Sequence, residues 1–187
     1  TSEMLPKDLT KFSLVHVTPL GDAINQLSFI KACRENGAKR ISAGTGLFNA
    51  EQQTQAVKDV IQHSDYFFMN SYEAEFIFGS IELATTQTGR VLYITLGADG
   101  ACIIQGSHAT FIPTNSTTEI DPTGAGDTFC GATLAYLIQN KHPIMAAQQA
   151  VVTSTDMIKD IGPKALFSDR PPLEAPLDMS VNVNNTQ

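Results

Sequence analysis

The fold of this 187-residue chain is decided by the stretch Asp121-Pro122-Thr123-Gly124-Ala125-Gly126-Asp127-Thr128-Phe129. Apolar residues at helical spacing follow it from Phe129 to Ile138, which predicts that a turn of small residues opens a helix. The first N–H groups of a helix have no partner within it, and the helix dipole adds partial positive charge there. Such a turn is suited to binding phosphate.

Asp127 is unusual in a phosphate-binding turn, because a carboxylate repels a phosphate. It fits a site where the carboxylate takes a proton from a hydroxyl that attacks a phosphoryl group. The alternative is a tight turn in which Asp127 is simply a favourable carboxylate at a helix N-terminus. A dinucleotide-binding turn is disfavoured, because the third glycine of that motif is missing at the required spacing.

Composition narrows the function classes. The chain has 12 basic and 19 acidic residues, a net charge of −7 and no Lys/Arg cluster, so we expect no nucleic-acid partner. The three cysteines are widely separated and form no CxxC pair, which argues against a zinc site or a disulfide framework. With no long apolar run and no signal peptide in the sequence, we expect no membrane association and a cytoplasmic location.

Strand and helix patterns alternate along the chain, which predicts an α/β layered domain with a largely parallel sheet. The predicted elements are strand 12–18, helix 23–36, strand 40–45, helix 50–63, strand 66–70, helix 71–78, strands 91–96, 101–105 and 110–113, the helix that begins behind Gly126, and a helix over 144–159. We expect residues 1–165 to form one folded unit. Prolines and polar residues predict no helix after Gly162 and an irregular tail over 166–187.

Asn70 and Glu73 follow a predicted strand, three positions apart. Ligands of open α/β sheets collect at the carboxyl ends of strands, so both side chains can face one site. A helix capped by Asn70 with Glu73 at its third position explains the same residues equally well. At the end of the next strand, Thr95, Gly97 and Gly100 form a second candidate site, for which an ordinary β-turn is the simpler alternative.

Together and in this order, the three stretches resemble the ribokinase-like (PfkB) family of sugar and nucleoside kinases. The resemblance implies a three-layer Rossmann-like ribokinase fold and ATP-dependent phosphoryl transfer to a hydroxyl of a sugar or nucleoside. It assigns an anion hole to the amides of Gly124, Ala125 and Gly126, and the general base to Asp127. Residues 1–165 would then form the nucleotide-binding and catalytic portion of a ribokinase-like domain.

The resemblance also implies the cofactors and their ligands. Mg²⁺ and the phosphates would be handled near Asn70 and Glu73, and a monovalent cation such as K⁺ near Asp121. The nucleotide would be approached by a further set of residues, namely Thr95, Gly97, Gly100, Thr123, Val151 and Ser154. The stretch Thr155-Asp156-Met157 is bulkier or more polar than the family pattern, so we expect a reshaped adenine pocket.

Two departures from the family pattern limit the prediction. Residues 42–46 read Ser-Ala-Gly-Thr-Gly where many members have Asp-Pro-Asn, so the acceptor stays undetermined. From the resemblance we expect this sequence to begin after the N-terminal segment that carries the family's glycine-pair motif, most sugar contacts and the small β lid. We therefore expect the chain alone to be a poor kinase, because positioning supplies much of the catalysis. A homodimer of the full-length protein, a non-catalytic nucleotide-binding or regulatory module, and an inert fragment stay open.

Overall fold

One mixed sheet organises the protein. The computed structural model describes residues 5–19 and 21–167, and its six strands lie side by side in chain order. The strands are β1 Val15–Val17, β2 Ile41–Gly44, β3 Tyr66–Asn70, β4 Val91–Thr95, β5 Ala101–Gln105 and β6 His108–Ile112. Strands β1 to β4 pair in parallel, and β5 and β6 add antiparallel. The predicted α/β class with a largely parallel sheet is confirmed.

Helices cover both faces of this sheet. They are α1 Ala23–Glu35, α2 Leu47–Gln52, α3 Thr54–His63, α4 Ser71–Phe78, α5 Ala125–Ile138, α6 Pro143–Met157 and α7 Lys164–Phe167. One core lies beneath α1, α3 and α4, and a second core lies beneath α5 and α6 on the opposite face. The predicted three-layer arrangement is therefore confirmed.

The residues of β4 show why a strand covered on both faces has a continuous apolar sequence. Leu92 and Ile94 enter the first core, whereas Val91 and Tyr93 enter the second. Successive side chains of a strand point to opposite faces, so a strand covered on both faces is apolar throughout. The same alternation places His16 of β1 and Ser42 of β2 on the sheet face that bears the second core.

The single predicted helix over 50–63 is wrong. The chain forms α2 and α3 instead, and the helix is interrupted at Gln53, whose φ is −134° and ψ is 36°. The side-chain oxygen of Gln53 accepts a hydrogen bond from the Ala23 N–H at 2.7 Å, so a contact to α1 stabilises the interruption. No glycine or proline marks this break in the sequence.

The C-terminal segment also departs from the prediction at its start. Lys164–Phe167 forms one helical turn directly after Pro163, where no helix was predicted. The rest of the predicted tail, 168–187, lies outside the described residues. Among the helices of residues 5–19 and 21–167, none is both long enough and apolar enough to cross a membrane.

Candidate active site

The turn before α5 presents open hydrogen-bond donors. Gly124 caps the helix with a left-handed backbone at φ 85°, and its carbonyl accepts from the Thr128 N–H at 2.8 Å. The Ala125 N–H donates to the Pro122 carbonyl at 3.0 Å within the turn. Within the described segments of the chain, the N–H groups of Gly126 and Asp127 have no hydrogen-bond partner. The exposed Asp127 side chain thus stands beside unpaired backbone donors at a helix start.

An aromatic cluster seats this turn on the sheet. Phe129, two residues after Asp127, is buried and meets Phe68 of β3 and Tyr93 of β4 edge to face, both with ring centroids 6.3 Å apart. Phe68 and Tyr93 stack on each other at 4.8 Å with an interplanar angle of 10°. Because Phe129 is anchored to two strands, the position of Asp127 over the carboxyl ends of the strands is set by packing.

Asn70 and Glu73 form a capping box at the start of α4. The Glu73 N–H donates to the Asn70 side-chain oxygen at 2.9 Å, and the Asn70 N–H donates to Glu73 Oε2 at 2.8 Å. Glu73 is only 6% exposed. Burial raises the pKa of its carboxyl, and the bond from Asn70 partly opposes that shift. Its second oxygen, Oε1, has no hydrogen-bond partner among the described residues.

These residues line a single cleft of about 330 Å³. Its walls are His16, Thr18, Pro19, Gly44, Thr45, Phe68, Met69, Asn70, Glu73, Thr95, Gly124, Gly126, Asp127, Phe129 and Cys130. Asn70 and Thr95 pair across β3 and β4, which places the second and third predicted sites side by side. The structure therefore brings together six of the predicted residues, namely Asn70, Glu73, Thr95, Gly124, Gly126 and Asp127.

The Asp121 carboxylate accepts two backbone hydrogen bonds. Its two carboxylate oxygens accept the N–H groups of Thr123 and Gly162, each at 3.0 Å. The backbone N–H groups of Gly162 and Thr123 hold the pKa of Asp121 below its usual range. This carboxylate ties the turn before α5 to the segment that follows α6. The predicted cation role stays a prediction.

The other predicted nucleotide residues lie outside the cleft lining. Gly97 and Thr123 are exposed, and the Ser154 hydroxyl donates to the Val151 carbonyl at 3.1 Å. Val151 packs in the core beneath α5 and α6. Gly100 is buried, and a Cβ there would lie 2.1 Å from the Ile112 carbonyl oxygen, so close packing explains this glycine. Their nucleotide contacts stay predictions.

Sequence reasoning missed the side of the cleft formed by β1 and β2. A lone histidine in a strand gave no signal, yet His16 Nδ1 lies 2.8 Å from Ser42 Oγ, and His16 lines the cleft. Thr18 and Thr45, which follow β1 and β2, line it as well. The only sequence feature that indicated a role for this side of the cleft was the departure from the family pattern at residues 42–46.

The described residues contain no group of three or more His, Cys, Asp or Glu side chains able to hold a metal ion. A single carboxylate oxygen facing the cleft is nevertheless compatible with Mg²⁺, which usually keeps several waters and uses one or two carboxylates together with substrate phosphates. Glu73 lines the cleft and is the carboxylate available for this role.

Comparison with known proteins identifies relatives for most of this chain. The pfkB family carbohydrate kinase profile matches residues 6–169. A ribokinase of Lactococcus lactis subsp. lactis (strain IL1403) is 30% identical over 139 residues, which are 73% of this chain and 44% of that protein. A ribokinase of Mus musculus is 36% identical over 87 residues, covering 40% of this chain and 27% of that protein. The chain thus spans less than half the length of these relatives.

Solved structures share the fold. A nucleoside kinase of Burkholderia thailandensis in complex with inosine matches with a TM-score of 0.69 at 22% identity, over 84% of this chain and 54% of that chain. A ribokinase of Thermotoga maritima matches with a TM-score of 0.64 at 17% identity, over 88% of this chain and 57% of that chain. The family match runs from before β1 to beyond α7 and includes every element of the cleft, so the chain belongs to the pfkB family of carbohydrate kinases.

Proposed function

We propose that the natural protein transfers a phosphoryl group from ATP to a hydroxyl of a sugar or nucleoside. The observation that carries this proposal is the position of Asp127. Its carboxylate stands beside the unpaired donors of α5 and shares one cleft with Asn70, Glu73 and Thr95. Family membership and the grouping of these side chains in one cleft support the proposal.

In the proposed reaction Asp127 accepts the proton of the acceptor hydroxyl. The acceptor oxygen forms a bond to the γ-phosphorus as the bond to the β-phosphate oxygen breaks, and ADP leaves. The amides of Gly124 and Gly126 stabilise the charge on the transferring group. Ala125 was predicted to share this role, but its N–H already donates to Pro122, so Ala125 joins the anion hole only by sharing that bond.

We assign the β3 and β4 side of the cleft to the nucleotide. Thr95 offers a hydroxyl at the end of β4, and Gly97, in open space just beyond it, leaves the backbone accessible. Gly100, Thr123, Val151 and Ser154 are not among the residues that line the cleft, and in this proposal they shape the ends of the nucleotide site. Because Val151 is buried, it supports the adenine pocket from within the core.

Glu73 and Asn70, which both line the cleft, would hold Mg²⁺, with Glu73 Oε1 as the carboxylate oxygen that the capping box leaves free. The ion would neutralise charge on the ATP phosphates. Asp121 would contribute to a monovalent-cation site only through lone pairs that its bonds to Thr123 and Gly162 leave free.

The acceptor can be tested directly with the complete natural protein. Since the relatives at 30% and 36% identity are ribokinases, we propose D-ribose as the first acceptor, with inosine as the nucleoside alternative. The measurement is ADP release with Mg²⁺ and ATP, compared with and without each acceptor. We expect release that depends on D-ribose. Nucleotide binding without acceptor-dependent release for either compound would contradict the proposal and favour a nucleotide-binding module.

A further inference from the structure

The β1 and β2 side of the cleft carries a polar group that the proposed reaction does not yet use. His16 of β1 pairs in register with Ser42 of β2, and both side chains lie on the sheet face that also bears Phe68. His16 shares the cleft with Asp127 of α5. Ser42 is fully buried, whereas His16 is exposed to the cleft. A histidine fixed by a buried hydroxyl is thus directed at the reaction site.

Two contacts fix the imidazole ring. Its Nδ1 lies 2.8 Å from Ser42 Oγ, and its edge meets the Phe68 ring with centroids 6.4 Å apart at 77°. Ser42 has no other side-chain partner among the described residues, and neither does His16 Nε2. Because Nδ1 is taken up by Ser42, Nε2 is the nitrogen left to bind a ligand.

The positions of His16 and Asp127 in the cleft indicate which substrate would contact His16. Asn70 and Thr95 lie at the ends of β3 and β4, the side assigned to the nucleotide, whereas His16, Thr18 and Thr45 belong to β1 and β2. A hydroxyl that gives its proton to Asp127 must enter opposite the nucleotide. The molecule carrying that hydroxyl therefore lies against His16.

We propose that His16, oriented by Ser42, hydrogen-bonds a second hydroxyl of the acceptor through Nε2 and so helps to determine which acceptor is used. This inference rests on the proposed function. Sugars and nucleosides carry neighbouring hydroxyls, so one can reach Asp127 while another reaches His16. Partial desolvation of the ring lowers the pKa of His16, and the charge of Asp127 opposes that shift.

Binding can be observed separately from turnover. In the complete natural protein with ¹⁵N-labelled histidine, the ring signals are recorded by NMR, and the His16 signal is assigned by its loss in His16→Gln. We expect D-ribose or inosine to shift the His16 Nε2 signal, and we expect Asp127→Asn to retain the shift, since that variant removes chemistry and leaves binding intact. The inference would be overturned if neither D-ribose nor inosine, each added up to its solubility limit, shifts the His16 signal.

Kinetics give a second, independent test. We expect His16→Phe to raise the KM for the acceptor about tenfold while the KM for ATP stays within about twofold, the size of effect that one lost hydrogen bond produces. His16→Gln keeps a side-chain donor and should recover part of the loss. An acceptor KM of His16→Phe within about twofold of wild type would contradict the assignment.

The two proposals can fail separately. If the acceptor shifts the His16 NMR signal of wild type but no phosphoryl transfer occurs, the proposed function fails while the assignment of His16 as an acceptor contact stands.

Discussion

At the scale of single residues, Glu73 shows that a structural and a functional explanation can hold together. The capping box, predicted as an equally good explanation of Asn70 and Glu73, is present with both of its hydrogen bonds formed. It occupies only Oε2 of Glu73, and Oε1 accepts no hydrogen bond from the described residues. The sequence could predict both roles because the Asn70–Glu73 spacing is local. It could not show the burial of Glu73, which arises only when α4 packs on the sheet.

Glu73→Gln separates the two roles. Glutamine can still accept the Asn70 N–H, but it carries no charge. Because burial raises the folded-state pKa of Glu73 above its ordinary value of 4.5, the folded wild type holds this proton more tightly than the unfolded chain and loses stability as pH rises through that window. We expect Glu73→Gln to gain stability relative to wild type as pH rises above the ordinary pKa of 4.5, measured by urea unfolding. A stability difference that does not depend on pH would contradict this.

Glu73→Gln should also weaken the use of Mg²⁺. The Mg²⁺ concentration needed for half-maximal turnover of this variant should rise roughly tenfold.

At the scale of elements, the turn between β4 and β5 has two glycines with different reasons to be glycine. Gly100 has φ 99°, and a Cβ there would lie 2.1 Å from the Ile112 carbonyl oxygen at the end of β6. Gly97 has φ 61° with nothing within 4 Å of its Cβ position. The glycine pattern predicted the turn, but the close approach of β6 to Gly100 is a tertiary contact with no local signal.

This difference predicts unequal effects on stability. Gly100→Ala should lower the free energy of unfolding by about 3 kcal/mol or more, because backbone atoms of β6 cannot move aside without disrupting the sheet. Gly97→Ala is the matched control and should cost about 1 kcal/mol, for the positive φ alone. Urea denaturation of both variants measures the difference. Equal losses would show that the hairpin does not pack as described.

The lack of a local signal also explains why a single helix over 50–63 was wrongly predicted. The boundaries of β3, α4 and β5 were predicted correctly, because an apolar strand, a capped helix start and a glycine stop are all local signals. The interruption at Gln53 depends instead on its bond to Ala23, which lies 30 residues earlier. A sequence pattern read in one window cannot contain such a contact.

At the scale of the whole molecule, the cleft is assembled from the two layers of helices and the sheet between them. Arg40 helps to join these layers, donating to the Ser13 carbonyl beside β1 and to the Leu137 carbonyl at the end of α5, both at 2.9 Å. Local motifs predicted the β3, β4 and α5 walls of the cleft. The β1 and β2 wall was missed, because His16 and Ser42 meet only through strand register.

The central claim is that Asp127 is the base of a phosphoryl transfer. The most direct measurement compares kcat and ATP affinity of Asp127→Asn with wild type in the complete natural protein, using acceptor-dependent ADP release and calorimetry of nucleotide binding. Asparagine keeps the size of the side chain but cannot accept the proton. We predict a kcat lower by about 10²–10⁴ or more with ATP binding retained. Turnover close to wild type would contradict the claim.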